Sequence, residues 1–309
     1  MPDPNDSISA LTLWVRTTPH VHAAWLDPTT HPATLVALIE PRSLNFAEHL
    51  PHHFLNHPIH YIEQEPFAIL HCGQNFPAPH ARTACHNEPV PGGVQIQPQG
   101  ANWVGTLGCA CSYHNAAGNK RWGILSNWHV LKMDVTTPNC PIHQPLATFP
   151  AIAHNDRHRE VSPDQPNTFD AALADAKIDG LHTVGPDLYE IGPLAPTPSP
   201  PQVGLAVSKS GRTSAVTEGR IDACGVTVQV SYGSFTATFT DQCIIAGTAG
   251  AFSAPGDSGS LVVTTAGRHP VALLFAGNDT LTVASPLAPI VEAFALDFSF
   301  PQPPEVFAP

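Results

Sequence analysis

The 309-residue chain is poor in charge, and poorest in positive charge. Only 12% of its residues are Asp, Glu, Lys or Arg, with 13 Lys and Arg against 25 Asp and Glu. A globular chain ordinarily carries about 25%. The net charge of −12 argues against a nucleic-acid footprint, which needs a basic face, and against adhesion to anionic membranes. No apolar run approaches the roughly 20 residues that span a bilayer, and Met1–Asp6 has no basic cluster or following apolar stretch. The expectation is a soluble, cytoplasmic protein. Seven Cys, an odd number without scaffold spacing, suit reduced thiols.

What is abundant is proline, 34 residues, which opposes long helices and favours turns and short strands. Residues 1–72 read as a small α/β domain. It holds strands at Val21–Leu26, Ala33–Glu40, Ile59–Ile62 and Phe67–Leu70, and a helix over Ser43–Phe54. Residues 73–100 have little apolar rhythm and read as a linker. From Val104 the pattern is all-β, with strands at Gly105–Tyr113, Trp122–Asn127, Ala171–Ala174, Val203–Ser208, Thr227–Ser231, Phe235–Phe239, Ser260–Thr264 and Val271–Phe275. The proline run Pro193–Pro201 divides this region into 101–192 and 193–297, two sub-barrels, the second closing on a helix at Ser285–Leu296. A Pro-rich tail, 298–309, follows. A turn at Gly233-Ser234 pairs Tyr232 with Phe235 and brings Cys224 opposite Cys243, read as free thiols.

The chemistry centres on Gly256-Asp257-Ser258-Gly259-Ser260. A serine hydroxyl becomes a nucleophile only when a nearby base takes its proton, and a carboxylate must orient that base. Flanking glycines permit a turn that bares the hydroxyl, and the Gly256 and Ser258 amides can face one oxyanion. By itself the motif is equally a turn before a strand. His129, at the end of Trp122–Leu131, and Asp170, at the mouth of Phe169–Ala174, are by themselves ordinary core or turn residues. Together the three stand in the order His, Asp, Ser.

The pieces Leu125-Ser126-Asn127-Trp128-His129-Val130, Phe169–Ala174 and Gly256–Ser260 resemble those of trypsin/chymotrypsin-like serine peptidases. Lys209–Thr213, Thr217–Ile221, Leu274–Asn278 and the Leu35–Ile69 segment are similar to an intracellular, mostly prokaryotic branch related to the plant narrow-leaf proteins. The resemblance implies a mainly β, chymotrypsin-like double β-barrel preceded by the α/β unit. It implies Ser258 as nucleophile, His129 as general base and acid, Asp170 as orienter, and the Gly256 and Ser258 N–H groups as oxyanion hole. It places a specificity pocket at Phe252, Ala276, Gly277, Asn278 and Thr282, which holds no carboxylate and so disfavours Arg or Lys in the substrate.

The implied partner is a protein or peptide substrate, in a regulated stress or defence setting, without cofactor or metal. The subunit count stays open, a homo-oligomer included. Two departures stand out. About 100 residues precede the barrel without a clear cleavage site, so a freed N-terminus is not expected to pair with Asp257, and Ala272–Ala276 lacks the serine that relatives aim at the triad carboxylate.

Three other features invite chemistry. His52, His53, His57 and His60 cluster between prolines and read as a solvated loop rather than a metal site. Cys109 and Cys111 read as core fillers on one strand face. Lys209–Thr213 lacks phosphate-loop spacing and reads as a strand-to-turn element. The same triad would equally serve an esterase or amidase on small substrates, and a peptide-binding module with an inactive site is the third alternative.

Overall fold

The computed structural model describes residues 4–43, 50–87, 89–115, 117–176 and 183–300. Strands dominate. Six of them close into a barrel: Ala206–Gly211, Leu261–Thr264, Pro270–Gly277, Leu281–Pro286, Thr236–Gly247 and Ala215–Ser231, the last pairing back to the first. All six contacts are antiparallel, so hairpins and short loops suffice to connect them. A second, eight-stranded sheet runs Cys109–His114, Lys120–Ser126, Ala172–Ala176, Ala151–His158, Pro141–His143, Gln95–Pro98, Trp103–Thr106, Cys72–Gly73.

Strand Ala215–Ser231 is 17 residues long and does two jobs. Its first half closes the barrel against Ala206–Gly211. Past three register shifts, its second half leaves the barrel and pairs with Val21–Asp27. Bulges bend and twist a strand in this way, freeing its far edge for a new partner. Thr34–Ile39, His57–Glu63 and His53–Phe54 continue the sheet beyond Val21–Asp27. The segment expected to form a separate α/β unit is therefore an extension of the barrel sheet, with Leu35, Ala37 and Ile39 buried against Leu11 and Val15.

Several expectations need correction. Pro4–Thr17 is a helix, its Leu11 and Val15 facing the sheet, although its polar start gave no helical signal. Half of the expected helix over Ser43–Phe54 falls on 44–49, outside the described residues, and His53–Phe54 is extended. Residues 73–100 are not a bare linker, since Gln95–Pro98 is a wholly buried strand of the second sheet. Polar Gln95 and Gln97 masked it, because each spends its amide on a backbone carbonyl, Pro145 O and Ala101 O. Gly105–Tyr113 is two strands rather than one, broken at Leu107-Gly108, where an added Cβ on Gly108 would collide with the Gly259 and Leu125 carbonyls.

All seven cysteines are free thiols. Among the described residues no helix is long and apolar enough to cross a membrane.

His22 lies in the core on strand Val21–Asp27, with both ring nitrogens unpartnered. Burial lowers its pKa from 6.5 to about 4, against a smaller opposing pull from Glu40. As pH falls below 6.5 the unfolded chain takes up this proton first. His22 therefore supports the fold above pH 6.5 and loses that support on the way to pH 4, by about 3 kcal/mol at roughly 1.4 kcal/mol per unit. Thermal unfolding followed from pH 7 to pH 4 is expected to show a falling midpoint, and His22→Leu is expected to flatten that fall.

Candidate functional site

The site is built where the two sheets meet. His129 sits on the short turn Trp128–Leu131 that follows strand Lys120–Ser126, and Asp170 lies two residues before strand Ala172–Ala176. These two strands are hydrogen-bonded neighbours, with Ser126 opposite Ala172. Their adjacent ends thus deliver the imidazole and the carboxylate to one point. His129 Nδ1 lies 2.6 Å from Asp170 Oδ2, and the His129 backbone N–H donates to Asp170 Oδ1 at 3.2 Å. Both side chains are fully buried. Asn127 Nδ2 donates to the Asp170 carbonyl at 2.8 Å, clamping the backbone as well.

The carboxylate has a further partner that the sequence did not disclose. Tyr232 donates its hydroxyl to Asp170 Oδ2 at 2.6 Å. It takes the place left by the missing serine near Phe275. Burial raises the Tyr232 pKa well above its ordinary value, and the Asp170 charge raises it further, so the phenol stays a donor. The ring stacks on Phe235 at 5.0 Å and on Phe239 at 6.2 Å, which fixes its direction. The only sequence signal was its place beside the Gly233-Ser234 turn.

Ser258 belongs to the barrel, on the loop before strand Leu261–Thr264. Asp257 holds that loop. Its carboxylate lies 3.2 Å from Lys209 Nζ, and it accepts from Ser214 Oγ at 2.5 Å, Thr213 N at 2.8 Å and Ala254 N at 3.0 Å. Both charges are fully buried. Burial lowers the Lys209 pKa, and Asp257 opposes that fall. An internal ammonium thus pairs with Asp257, for which no freed N-terminus was expected. The Lys209–Thr213 stretch contributes both the cation and a backbone donor to Asp257.

Gly256 has φ +103°, a conformation that suits glycine, and its amide points into the cleft. The Gly256 and Ser258 N–H groups converge on one oxygen, the carbonyl of Leu70, the latter at 3.4 Å. Ser258 Oγ accepts from the Leu70 N–H at 3.1 Å and donates to the Phe275 carbonyl at 3.0 Å. It makes no hydrogen bond to His129, whose Nε2 is buried and unpartnered. The Ser258 backbone is nevertheless tied to the other sheet, with Thr106 N donating to Ser258 O at 2.8 Å. A Cβ placed on Gly105 would lie 2.6 Å from Val130 and 3.2 Å from Ser258 O, so the turn bearing His129 and the Ser258 loop share this neighbour.

Of the five expected pocket residues, Gly277 and Thr282 are paired on neighbouring strands. Ala276 and Gly277 pair with Ile69 and Ala68, and Asn278 Nδ2 donates to the Glu65 carbonyl at 2.6 Å. Thr282 Oγ1 is 2.5 Å from Ser253 Oγ, in the buried wall. Phe252 is buried in a cluster with Ile245, Cys243 and Leu70. His71, next along the chain, has its ring 6.1 Å from that of His129. Burial, and then the neighbouring His129, lower the His71 pKa to about 4, so it is neutral near pH 7.

Residues 165–282 match the family model described as the Nal1 C-terminal domain. No curated protein matches the chain. Solved structures that match include a Cellulomonas bogoriensis chymotrypsin, at 19% identity and a TM-score of 0.48, and Thermobifida fusca protease A, at 18% and 0.49. Each match covers 67% of this chain and 97% of the other. A serine protease described as glutamic acid specific matches at 19% and 0.48, covering 67% and 99%. The chain is mainly β and resembles the chymotrypsin-like serine proteases, with a C-terminal half similar to the Nal1 C-terminal domain.

Proposed function

We propose that the chain is a serine endopeptidase that cuts a protein substrate through an acyl-enzyme on Ser258. The observation that carries this reading is the convergence of the Gly256 and Ser258 amides on a single carbonyl oxygen beside the Ser258 hydroxyl. Donors aimed at one oxygen stabilise the charge that develops when a carbonyl is attacked, commonly the largest single contribution to such a reaction. The His129–Asp170 pair supports the rest. A carboxylate on Nδ1 leaves the proton-accepting face of the ring at Nε2, the atom that has no other partner.

The steps follow from these groups. Rotation of the Ser258 side chain from the Phe275 carbonyl toward His129 Nε2 hands the hydroxyl proton to the imidazole as Oγ attacks the substrate carbonyl. Gly256 and Ser258 hold the resulting oxyanion. The imidazolium gives its proton to the departing amine, leaving an ester on Ser258, and water, deprotonated by His129, hydrolyses that ester. Asp170 keeps the ring oriented and balances its transient charge. Strand Pro270–Gly277 offers backbone groups at Phe275, Ala276 and Gly277 for an extended peptide, which favours a peptide over a small ester as substrate. The apolar wall around Phe252 favours an uncharged side chain at the cleaved position.

Prolonged exposure to a fluorophosphonate is expected to label Ser258, mapped by peptide mass. Ser258→Ala is expected to abolish that label, and His129→Ala to slow it about 100-fold or more, the usual scale for losing a general base. Absence of label at Ser258 would remove the reading.

Tyr232→Phe deletes one charge-assisted hydrogen bond to Asp170. The carboxylate then orients the His129 ring less firmly. The expected result is a fall in kcat of about tenfold, on the scale of one such bond, with KM held steady. A purely structural role for Tyr232 would move KM as well.

A further inference from the structure

The groove beside Ser258 is already occupied, and by this chain. Strand Phe67–Ile69 lies between two barrel strands. Ile69 and Ala68 run antiparallel to Ala276 and Gly277, while Phe67 and Ala68 run parallel to Val230 and Ser231. Beyond it, Cys72–Gly73 pairs antiparallel with Val104 and Trp103 of the other sheet. The peptide bond between Leu70 and His71 therefore crosses the cleft between the sheets.

Leu70 takes every contact that a substrate residue at the point of cleavage would need. Its N–H donates to the Phe275 carbonyl at 3.2 Å, and its carbonyl accepts from Gly256 and Ser258. Its side chain is 5% exposed and packs in the Phe252, Ile245 and Cys243 cluster. A Cβ added to Gly277 would lie 3.1 Å from Leu70 Cδ1, so the missing side chain there leaves room for the leucine.

Resting on the nucleophile reading above, we propose that residues 67–72 are a built-in occupant of the peptide groove. They are seated as a substrate with Leu70 in the side-chain pocket, and they hold the enzyme closed to other peptides until they leave. The segment also names the substrate class. It is an extended peptide with a leucine-sized aliphatic side chain in the pocket and a small residue against Gly277.

Three observations explain why the seated bond stays closed to attack. The Ser258 hydroxyl is spent on Leu70 N–H and Phe275 O, so its proton is not on His129. The strand is hydrogen-bonded on both edges, where a free peptide pairing with Pro270–Gly277 alone would use one. Both flanks are tethered. Upstream, Gln64 Nε2 donates to Thr280 Oγ1 at 2.7 Å and Asn278 Nδ2 to Glu65 O at 2.6 Å. Downstream, Arg212 donates to Phe76 O at 2.7 Å and to Gln95 Oε1 at 2.8 Å. A tether of this kind presents its segment at an effective concentration on the millimolar scale, so a substrate in solution competes poorly.

The test compares fluorophosphonate labelling of Ser258 in the full chain with that in Leu70→Glu and Leu70→Met. A carboxylate in the apolar pocket expels the segment, so Leu70→Glu is expected to label at least tenfold faster. Methionine fills the pocket, and Leu70→Met is expected to label at the parent rate. Equal rates for the parent and Leu70→Glu, with Ser258 labelled in both, would overturn the occupancy and leave the nucleophile standing. No label in any form would instead remove the nucleophile.

Should Leu70→Glu fail to fold, the parent protein answers by amide hydrogen exchange with and without an Ala-Ala-leucine boronic acid. The amides of 67–70 are expected to be protected at rest and to exchange at least tenfold faster once the boronate is bound. Protection that does not change on binding would overturn the proposal.

Discussion

Everything at the cleft depends on the buried Lys209–Asp257 pair. Two charges with no exposure are costly to strip of water, and such a pair is stable only when the remaining lone pairs and protons are satisfied. Here Asp257 gathers the Lys209 ammonium, the Ser214 hydroxyl and the amides of Thr213 and Ala254. With the Ser214 amide as well, five attachments on one carboxylate leave the loop little freedom. The amides of Gly256 and Ser258, on either side of that carboxylate, acquire their shared direction from it. Lys209 itself sits on strand Ala206–Gly211, within the closed barrel, so the frame that aims the oxyanion donors is the barrel wall.

A second constraint comes from strand Ala215–Ser231. By closing the barrel with one half and departing with the other, it brings the N-terminal sheet against the cleft and delivers Tyr232 to Asp170. The same departure opens the gap in which Phe67–Ile69 is pinned between Val230 and Ala276. The N-terminal strands thus serve the cleft directly. The extension carries the occupant, and the barrel supplies its pocket. Release of Phe67–Ile69, as proposed above, would require breaking pairing along two edges.

The legible parts of the sequence were those governed by local rules. Short continuous apolar runs marked Thr34–Ile39 and Leu261–Thr264, and Gly256–Ser260 stood out because a nucleophile between glycines needs a turn. What escaped was set by distant partners. Gln95–Pro98 reads as polar until the Gln95 amide finds the Pro145 carbonyl, 50 positions away. Pro4–Thr17 is helical because a sheet accepts Leu11 and Val15, and nothing in its opening residues says so. Tyr232 finds Asp170 across 62 positions, and Leu70 finds Ser258 across 188.

Residue order and local composition alone determined a mainly β chain and marked Gly256–Ser260 as a candidate turn, while the roles of His129, Asp170 and Ser258 and the uncharged pocket wall were implied by the family resemblance. The first two are properties of side-chain type, which act within a few residues. Only the tertiary structure decided that an internal lysine neutralises Asp257, that a tyrosine braces Asp170 and that Leu70 fills the cleft. Each of these is a contact between segments far apart in sequence. Its energy comes from burying a charge, a phenol or a leucine against a partner that exists only once the sheets have closed.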